Sequence, residues 1–576
     1  MKKVILILTL SFISAMMAFA FFHHPGQEAT TGNLILYNQV GYITHGPKML
    51  LVAEEVDLVV IRDASGGEVF RATPDSAMFW ARSGDAVRKV DFSELSVPGN
   101  YSVLLPGQDH EAGILISDRP FKEVSKAALR AFYYNRSGMA IDPAHGGQWA
   151  RPAGHPDTVV YVHASAATEA RPEGTIISSP GGWYDAGDYN KYIVNSGITT
   201  YTMFRALQDY KDYHVQLNVN IPESGSGVPD LLSEALYNFR WMLTMWDPND
   251  GGVYHKLTNK QFDGIVMPHE ALEDRYVVMK TTAAALNFAA VAAKAYRVLR
   301  EYESYFPGLA EESIQKAEWA WNWAMRNPDV LYRQPEDIHT GTYGDRNLED
   351  EFFWAACELF LSTRKYRYLE VVLEKYTAPP IPTWNQVYAL GFMSLLDQYN
   401  RLPEILRHKG LHYDFIKLVE YLVDVSETAP YGVSIQSFAW GSNSTVANHG
   451  MLKLVAYKHT GNEKYLRSAI SDLDYIMGRN ATGYCFVTGF GHQKVMNIHH
   501  RPSEADDIED PVPGFLAGGP NLATFQDCPP EVQRSQHPAK SYVDHWCSYS
   551  TNEIAINWNA PLVYLLSGIE TILSGQ

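Results

Sequence analysis

Residues 122–138 read KEVSKAALRAFYYNRSG, and the chain changes its pattern at this stretch. Its apolar residues recur every three or four positions until Gly138, which predicts an amphipathic helix that ends at a glycine. Similar helical patterns follow at 195–213, 228–247, 280–304, 309–326, 348–376, 384–400, 403–427, 443–459, 462–478 and 552–572. Because 348–376 is long enough for two helices, the total is about a dozen. Residues 119–576 are therefore predicted to form a mainly α domain.

The part of the chain before this helix has the shorter period of β-strands. Strand-like runs are LILYNQVGY (34–42), KMLLVAE (48–54), DLVVIRD (57–63), VRKVDFSEL (87–95) and YSVLLP (101–106). Turn residues separate them, as at 65–67 (SGG) and 98–100 (PGN). Short, evenly spaced, β-branched runs between turns are typical of a small β-sandwich, which we predict for residues 33–118.

Long loops separate the predicted helices at 139–194, 248–279, 327–347 and 480–550. Structureless loops of that length are unusual inside a compact domain and are often functional. No pattern of parallel strands alternates with the helices. A helical toroid with its site built on loops at one end fits these features best, and a two-layer helical bundle is the alternative.

The charge composition limits the kinds of partner that the protein could bind. Lys plus Arg is 47 and Asp plus Glu is 65, so the formal charge is −18. This balance argues against a nucleic acid or an anionic membrane, which would require clustered positive charge. A neutral substrate is compatible with it.

The first residues, MKKVILILTLSFISAMMAFAFF, have the pattern of a secretory signal peptide. Lys2 and Lys3 precede an apolar run, and we expect cleavage after Ala20. An uncleaved anchor is the alternative, because the apolar run is nearly long enough to span a bilayer. A secreted or periplasmic protein without a membrane partner after cleavage is predicted.

Four cysteines suit an exported protein that uses few disulfides. Cys528 and Cys547 lie in one loop-rich region and could pair. Cys357 has the pattern of a buried helical thiol, and Cys485 that of a strand or loop residue. No CxxC or HExxH spacing supports a zinc site. A zinc site at His492, His499 and His500 has weak support, because adjacent histidines rarely converge on one metal.

Residues 181–192, GGWYDAGDYNKY, contain two carboxylates three residues apart. Glycines on both sides allow the backbone to bend closely, and a helix is predicted from about Asn195. Asp185 and Asp188 could therefore face one site and deprotonate a shared water, with their repulsion raising the pKa of one of them. The alternative is an acidic turn whose side chains bond backbone amides.

A second acidic candidate is Glu553, in SYSTNEIAINWNAPLVY. In the first turn of the predicted helix it would ordinarily only complement the helix dipole. Its apolar neighbours would raise its pKa and the helix terminus would lower it, so the sequence leaves a general-acid role open. Further downstream, GFGHQKVMNIHHRPS (489–503) offers donors suited to sugar hydroxyls or carboxylates.

These motifs together resemble glycoside hydrolase family 9, the inverting cellulases with an (α/α)6 barrel and often an immunoglobulin-like domain before it. The resemblance rests on YNQVGY (37–42), GGWYDAGDYNKY (181–192), YGDRNLEDEFFWAA (343–356), GFGHQKVMNIHHRPS (489–503) and YVDHWCSYSTNEIAINWNAPL (542–562), which occur in the family's order. It covers nearly everything after the signal peptide. The fold it implies is mainly α, with an (α/α)6 barrel preceded by a small all-β immunoglobulin-like sandwich.

The resemblance also implies roles for individual residues. Asp188 would be the general base, Asp185 its partner on the water and Glu553 the general acid. Asp544 and His499 belong to the same signatures and are grouped with the catalytic residues. The expected substrate contacts are Arg501, His500, Trp183, Tyr184 and Trp440.

Calcium is the one metal that the resemblance implies, as a structural ion and not for the chemistry. Asp345, Asp350 and Glu351 are its candidate ligands, and an acidic helix start is the alternative explanation for them. The family's zinc cluster of two cysteines and two histidines has no counterpart.

The function predicted on this basis is a secreted, monomeric β-1,4-glucanase that acts on cellulose or a related β-glucan. An exo-acting relative that releases cellobiose or glucosamine units is one alternative. A non-catalytic glycan-binding protein is another, although a pure binder has no need of both an acid and a base.

Overall fold

The computed structural model describes residues 34–522 and 527–574. The predicted signal peptide, residues 1–20, lies outside the described residues. Nine strands form the first part: β1 Ile35–Leu36, β2 Tyr42–Ile43, β3 Met49–Ala53, β4 Val59–Asp63, β5 Glu68–Ala72, β6 Met78–Trp80, β7 Asp85–Asp91, β8 Gly99–Leu104 and β9 Glu111–Ser117. They pair as two sheets, β1-β3-β7-β6 and β2-β9-β8-β4-β5. The predicted all-β sandwich is confirmed.

The strands differ in detail from the sequence prediction. The run 34–42 is two short strands, because the side chain of Asn38 accepts bonds from the amides of Val40 and Gly41 and breaks the extended chain. Gly41 has a φ of 138°, which a side chain would strain. The strands β5, β6 and β9 were not predicted. Strand β5, EVFRA, has one buried residue and two charged ones, β6 is only three residues long, and β9 contains Gly113.

Twelve longer helices build the second part of the described chain. They are α1 Lys122–Tyr134, α3 Ile193–Asp209, α5 Asp230–Thr244, α6 Thr282–Leu299, α7 Leu309–Arg326, α8 Glu349–Thr363, α9 Tyr366–Glu374, α10 Tyr388–Asp397, α12 Leu411–Thr428, α13 Ser442–Thr460, α14 Glu463–Ile476 and α17 Ile556–Leu573. Five short helices are α2 Pro143–Gly146, α4 Lys211–Gln216, α11 Glu404–Arg407, α15 Arg501–Ala505 and α16 Tyr549–Asn552. The stretch 348–376 is indeed two helices.

The longer helices form an inner and an outer ring. The inner ring consists of α3, α6, α8, α10, α13 and α17. Helices α3, α6, α8 and α10 pack in succession, and α17 packs on both α3 and α13. The outer helix α12 contacts both α10 and α13. Outer helices α1, α5, α7, α9, α12 and α14 cover this ring. Inner helices such as α6, TAAALNFAAVAAKAYRVL, are buried on nearly all sides, as a helix enclosed by others must be. The (α/α)6 barrel is confirmed, and the two-layer bundle is excluded.

A small sheet, which the sequence pattern did not predict, orders two of the long loops. Its strands are β10 Val160–Val162, β11 Ile176–Ile177, β12 Lys191–Tyr192, β13 Lys256–Thr258 and β14 Tyr276–Val277, in the order β11-β10-β14-β13-β12. Strand β12 follows the Asp185–Asp188 motif directly and leads into α3. Within the described residues, no helix combines the length and the apolar character that crossing a membrane requires.

The cysteines pair as the sequence suggested. Cys528 and Cys547 form a disulfide, while Cys357 and Cys485 are buried free thiols. Cys357 lies in α8, and Cys485 lies in the loop that follows α14.

The sandwich packs on the barrel through specific contacts. The Gln39 side chain donates to the Gly483 carbonyl and accepts from the amides of His492 and Gln493. The ring of Trp80 lies 5.0 Å from that of Tyr431. The β domain therefore braces the loop at 483–493, which leads to the His499–Arg501 segment.

Adjacent residues of β6 test this interface. Trp80 is buried between the two domains, whereas Phe79 is 66% exposed. We expect Trp80→Ala to lower the free energy of unfolding by about 3 kcal/mol, because truncating a buried Trp leaves a cavity. Phe79→Ala should change it little. Chemical unfolding of both variants measures the difference, and equal effects would contradict the proposed bracing.

Candidate active site

A cleft of about 560 Å³ lies where the long loops meet at one end of the barrel. Its lining includes three carboxylates and several aromatic rings: Asp185, Asp188, Tyr192, Tyr343, Trp384, Trp440, Glu553 and Trp558. The carboxylates come from segments before the second long helix and before the last one. The closure of the helical ring brings these segments together.

Asp185 is buried and held by donors from two other parts of the chain. Its carboxylate accepts bonds from the Asn195 amide, in the first turn of α3, and from the Tyr343 hydroxyl at 2.6 Å. Burial, and then the charge of Asp188, raise the pKa of Asp185 to about 8. Its carbonyl accepts from the Ile556 amide, which ties the motif to the start of α17.

Asp188 faces the same cleft in a different setting. One of its oxygens accepts from the Asn190 amide at 2.5 Å and from the Tyr192 hydroxyl at 3.0 Å. Both donors belong to the residues that follow Asp188 and fix the orientation of its carboxyl group in the cleft. Behind Tyr192, the buried Nζ of Lys256 lies 5.7 Å from the ring centre, and burial lowers the pKa of this amine to about 7.

Glu553 lies in an extended segment between α16 and α17. The expectation that it occupies the first turn of the last helix is wrong, because that helix begins only at Ile556. Burial raises the pKa of Glu553 well above its usual value, and the charges of Asp188 and Asp185 raise it further. This direction of shift favours the protonated carboxyl, which is the form that a general acid needs.

His499 lies beside Glu553, since their backbones form a parallel bridge. Its Nδ1 is 3.0 Å from the Trp546 carbonyl, and its ring stacks on that of Trp546. Burial lowers the pKa of His499 to about 4, so the neutral ring donates from Nδ1 and offers Nε2 as an acceptor.

Asp544 and Arg501 organise the loops of the site. The Asp544 carboxylate accepts from the amides of Met496 and Asn497, both at 2.8 Å, and from the Asn552 side chain. It thereby joins the segment that leads to His499 to the one that carries Glu553, which makes it a positioning residue. Arg501 Nη1 donates to the Gly187 carbonyl at 2.6 Å.

The predicted aromatic and histidine contacts divide into two groups. Trp440 is 48% exposed and lines the cleft. Trp183, Tyr184 and His500 are buried away from it, and the prediction that they contact substrate is wrong. The Trp183 indole donates to Glu234, and Tyr184 hydrogen-bonds His155.

His500 is buried in the same way, and its ring nitrogens face Ser503 and Asn135 instead of the cleft. With His499 held by Trp546 and the exposed His492 beside Tyr37, the three histidines do not form a zinc site. Among the described residues, metal-like spacing occurs at Cys528, His545 and Cys547. The disulfide removes both thiolates from that group.

Tyr343 is the main site residue to which the sequence patterns assigned no role of its own. It donates to Asp185, and its ring packs edge-on against Trp384, 5.2 Å away. Its φ of 42° is unusual for a residue with a large side chain, and such strain is common at functional sites. No periodicity or composition marks that backbone angle, so only its place next to Gly344 and Asp345 offered a signal.

Comparison with known proteins is consistent with this geometry. The model of glycosyl hydrolase family 9 matches residues 121–566, and the model of the cellulase N-terminal Ig-like domain matches residues 30–110. The chain belongs to glycosyl hydrolase family 9. It is therefore a glycoside hydrolase, and the catalytic barrel and the immunoglobulin-like domain of the family account for its two parts.

Individual relatives of family 9 match along most of their length. A xyloglucan-specific endo-β-1,4-glucanase of Bacteroides ovatus is 42% identical over 570 residues, covering 95% of both chains. Endoglucanase D of Acetivibrio thermocellus is 30% identical over 557 residues, covering 94% of this chain and 81% of the relative. The solved Bacteroides ovatus family 9 structure has a TM-score of 0.89 at 42% identity and covers 94% of this chain and 99% of its own.

A family 9 structure in complex with cellobiose-like isofagomine, AaCel9A, is 31% identical to this chain, with a TM-score of 0.85. The match covers 93% of this chain and 99% of that one. That ligand is named for its likeness to a β-linked disaccharide.

Because burial disfavours the ionised form of Asp185, we expect an uncharged residue at this position to stabilise the folded protein at high pH. Between pH 3.8 and about 8 the folded protein keeps the Asp185 proton while the unfolded chain releases it, so this group's contribution to stability falls as the pH rises through that window. Asp185→Asn keeps the neutral shape. We expect its unfolding temperature to exceed that of the wild type at pH 8 and to approach it at pH 4.

Asp63 provides the matched control, because it is exposed and bonds from Ser65 and Gly67 lower its pKa. Asp63→Asn should give no gain at pH 8. Scanning calorimetry at several pH values measures both variants. A gain for Asp185→Asn that does not depend on pH would refute the electrostatic explanation.

Proposed function

We propose that this family 9 protein is an endo-acting, inverting β-1,4-glucanase. Asp188 is the general base, Asp185 holds the attacking water with it, and Glu553 is the general acid. The observation that supports this most is the meeting of three carboxyl groups in one cleft in unlike settings. Asp188 accepts hydrogen bonds from Asn190 and Tyr192, whereas burial and the neighbouring charges raise the pKa of Glu553 and so favour its protonated form.

The chemistry follows from these settings. Glu553 protonates the glycosidic oxygen as the bond from that oxygen to the anomeric carbon breaks, and the leaving sugar departs with a new hydroxyl. On the opposite face, Asp188 takes a proton from a water whose oxygen bonds to the same carbon, so the configuration inverts. An inverting pair requires carboxyl groups roughly 6.5–9.5 Å apart to admit that water.

The surroundings of the cleft suit a neutral polysaccharide. Trp384, Trp440 and Trp558 present ring surface on which sugar rings can stack. His499 and Arg501 are proposed to hold the sugar on the non-reducing side of the cleaved bond. The relatives named above are endoglucanases, one of them specific for xyloglucan. We propose a β-1,4-glucan main chain as the substrate and include branched glucans.

Product size separates this proposal from its alternatives. An endo-acting enzyme shortens a polymer rapidly and releases mixed oligosaccharides, while an exo-acting relative releases one small product. A glycan-binding protein without activity releases none. Carboxymethyl-cellulose, xyloglucan, cello-oligosaccharides and chitosan oligomers, followed by chromatography, distinguish the three cases.

The acid and base roles predict a specific pair of mutant phenotypes. Asp188→Ala and Glu553→Ala should each lower turnover of polymer by about 10²–10⁴-fold, the range that general acid or base catalysis contributes. With an aryl cellobioside that carries a good leaving group, Glu553→Ala should lose much less activity, because departure no longer needs a proton. Asp188→Ala should remain inactive on both substrates.

The comparison between polymer and aryl cellobioside serves as the control for this experiment. A uniform loss in both variants would indicate misfolding, which circular dichroism of the variants checks directly. Near-normal turnover of polymer by either folded variant would show that the assignment is wrong.

We also propose that Asp345, Asp350 and Glu351 bind a structural calcium ion. Four of their carboxylate oxygens are buried without a hydrogen-bond partner: Asp345 Oδ2, Asp350 Oδ1 and both oxygens of Glu351. Buried carboxylates are costly without a counter-charge, and calcium prefers such oxygen ligands. Since Tyr343 is two residues from Asp345, the ion would support the loop that holds Asp185.

Calcium should therefore stabilise the folded protein. At a concentration of 100 times its dissociation constant, an ion that binds only the folded state adds about 2.7 kcal/mol. We expect the unfolding temperature to rise with added calcium, fall with a chelator and become insensitive in Glu351→Gln. An unfolding temperature that neither calcium nor the chelator changes would exclude this site.

Export from the cytoplasm is part of the proposal as well. It is supported by the Lys2-Lys3 start, the apolar run and the small-residue site ending at Ala20. The disulfide between Cys528 and Cys547 suits an oxidising compartment.

A further inference from the structure

A second cavity, of about 460 Å³, adjoins the catalytic cleft. It is formed by the loop at 260–276, and Phe262 lines both cavities. A third cavity, of about 380 Å³, shares Lys260, Asp274 and Tyr276 with the second. The second and third cavities are neighbours because they share these lining residues, and together they are here called the side groove.

Arg501 links the side groove to the segment that carries the proposed catalytic base. The guanidinium of Arg501 lies 5.7 Å from the centre of the Phe262 ring and donates to the carbonyl of Gly187, the residue before Asp188. The same Arg501 donates to the Asp263 carbonyl at 2.9 Å. Phe262 and Arg501 therefore join the side groove to the segment that carries Asp188.

The loop that forms the groove is held by the catalytic motif itself. The Tyr189 hydroxyl, one residue after Asp188, donates to the Val266 carbonyl at 2.6 Å. The Arg275 guanidinium donates to the Tyr189 carbonyl at 2.8 Å. The groove is therefore preformed, and binding there needs little further ordering of the chain.

The lining of the side groove fits an uncharged sugar. Phe262 is 47% exposed and Tyr276 offers a second ring. Four carboxylates surround these rings, from Asp263, Glu270, Glu273 and Asp274, and the lining cation Lys260 is paired with Asp337 at 2.8 Å. Carboxylates accept bonds from sugar hydroxyls, while their negative charge disfavours an acidic sugar.

We propose that the side groove is a binding site for an uncharged sugar branch carried by a β-1,4-glucan whose main chain occupies the catalytic cleft. This inference rests on the function proposed above. The ligand class is a neutral mono- or disaccharide branch, such as the xylosyl units of xyloglucan. Binding of the branch beside the reacting sugar would favour cleavage of branched over unbranched glucan.

Gly264 allows the side groove to be blocked without strain. A Cβ added at Gly264 has no heavy atom within 4 Å, and the backbone there does not have a positive φ. Gly113, on β9 of the sandwich, has the same properties and lies outside the groove. Gly264→Trp is thus the test variant and Gly113→Trp the matched control. Leu272→Trp, at a groove residue that is 85% exposed, is a second blocking variant.

The measurement is kcat/KM on xyloglucan and on unbranched cellohexaose for each folded variant. We expect both blocking variants to lower the value on xyloglucan by about tenfold, equivalent to about 1.4 kcal/mol of lost binding. Their values on cellohexaose, and both values for Gly113→Trp, should stay within about twofold of the wild type.

Each other outcome is decisive. Equal losses on both substrates would show that the groove binds the main chain and would overturn the branch proposal. Unchanged activity on xyloglucan, or a wild type that cleaves cellohexaose but not xyloglucan, would also overturn it while leaving the β-1,4-glucanase function intact. A wild type that cleaves neither substrate would instead reject the proposed function itself.

Discussion

Two carboxyl groups three residues apart are buried in the same cleft, and one of them, Asp185, is held there by hydrogen bonds from other parts of the chain. Asp185 receives its donors from the start of α3 and from Tyr343, while Asp188 receives its donors from Asn190 and Tyr192. Asn190 and Tyr192 belong to the motif itself, but an isolated acidic turn could not supply the Tyr343 hydroxyl that Asp185 accepts from. The fold has to bring the loop at 341–345 against the motif, which explains why a non-glycine residue adopts a positive φ there.

Close backbone contact is the second consequence of this arrangement. A Cβ placed on Gly187 would lie 2.4 Å from the His499 carbonyl, so only glycine lets the two loops meet. The Arg501 side chain then closes the contact by donating to the Gly187 carbonyl. Glycine is therefore required at position 187 because the segment of His499 packs directly on the aspartate motif there, and not only because of the turn.

The sequence predicted the parts of this site that depend on residue type and order. Helical periodicity predicted a mainly α domain, and the resemblance of several short motifs to those of family 9 singled out Asp185, Asp188 and Glu553, which the structure brings into one cleft. Trp183 and Tyr184 were misassigned because a buried ring and a sugar-stacking ring look alike in sequence. The side groove and the strained Tyr343 depend on contacts between distant loops, which no local pattern encodes.

The position of Glu553 answers the question that its sequence left open. In the first turn of a helix, the positive end of the dipole would have lowered the pKa of this carboxyl. Glu553 instead follows the last residue of α16 and precedes α17 by three residues, so it lies outside the first turn of that helix. Burial and two neighbouring carboxylates then act without that opposition and raise its pKa. The break between α16 and α17 thus places Glu553 outside a helical first turn, and burial is the largest influence on the pKa of its carboxyl group.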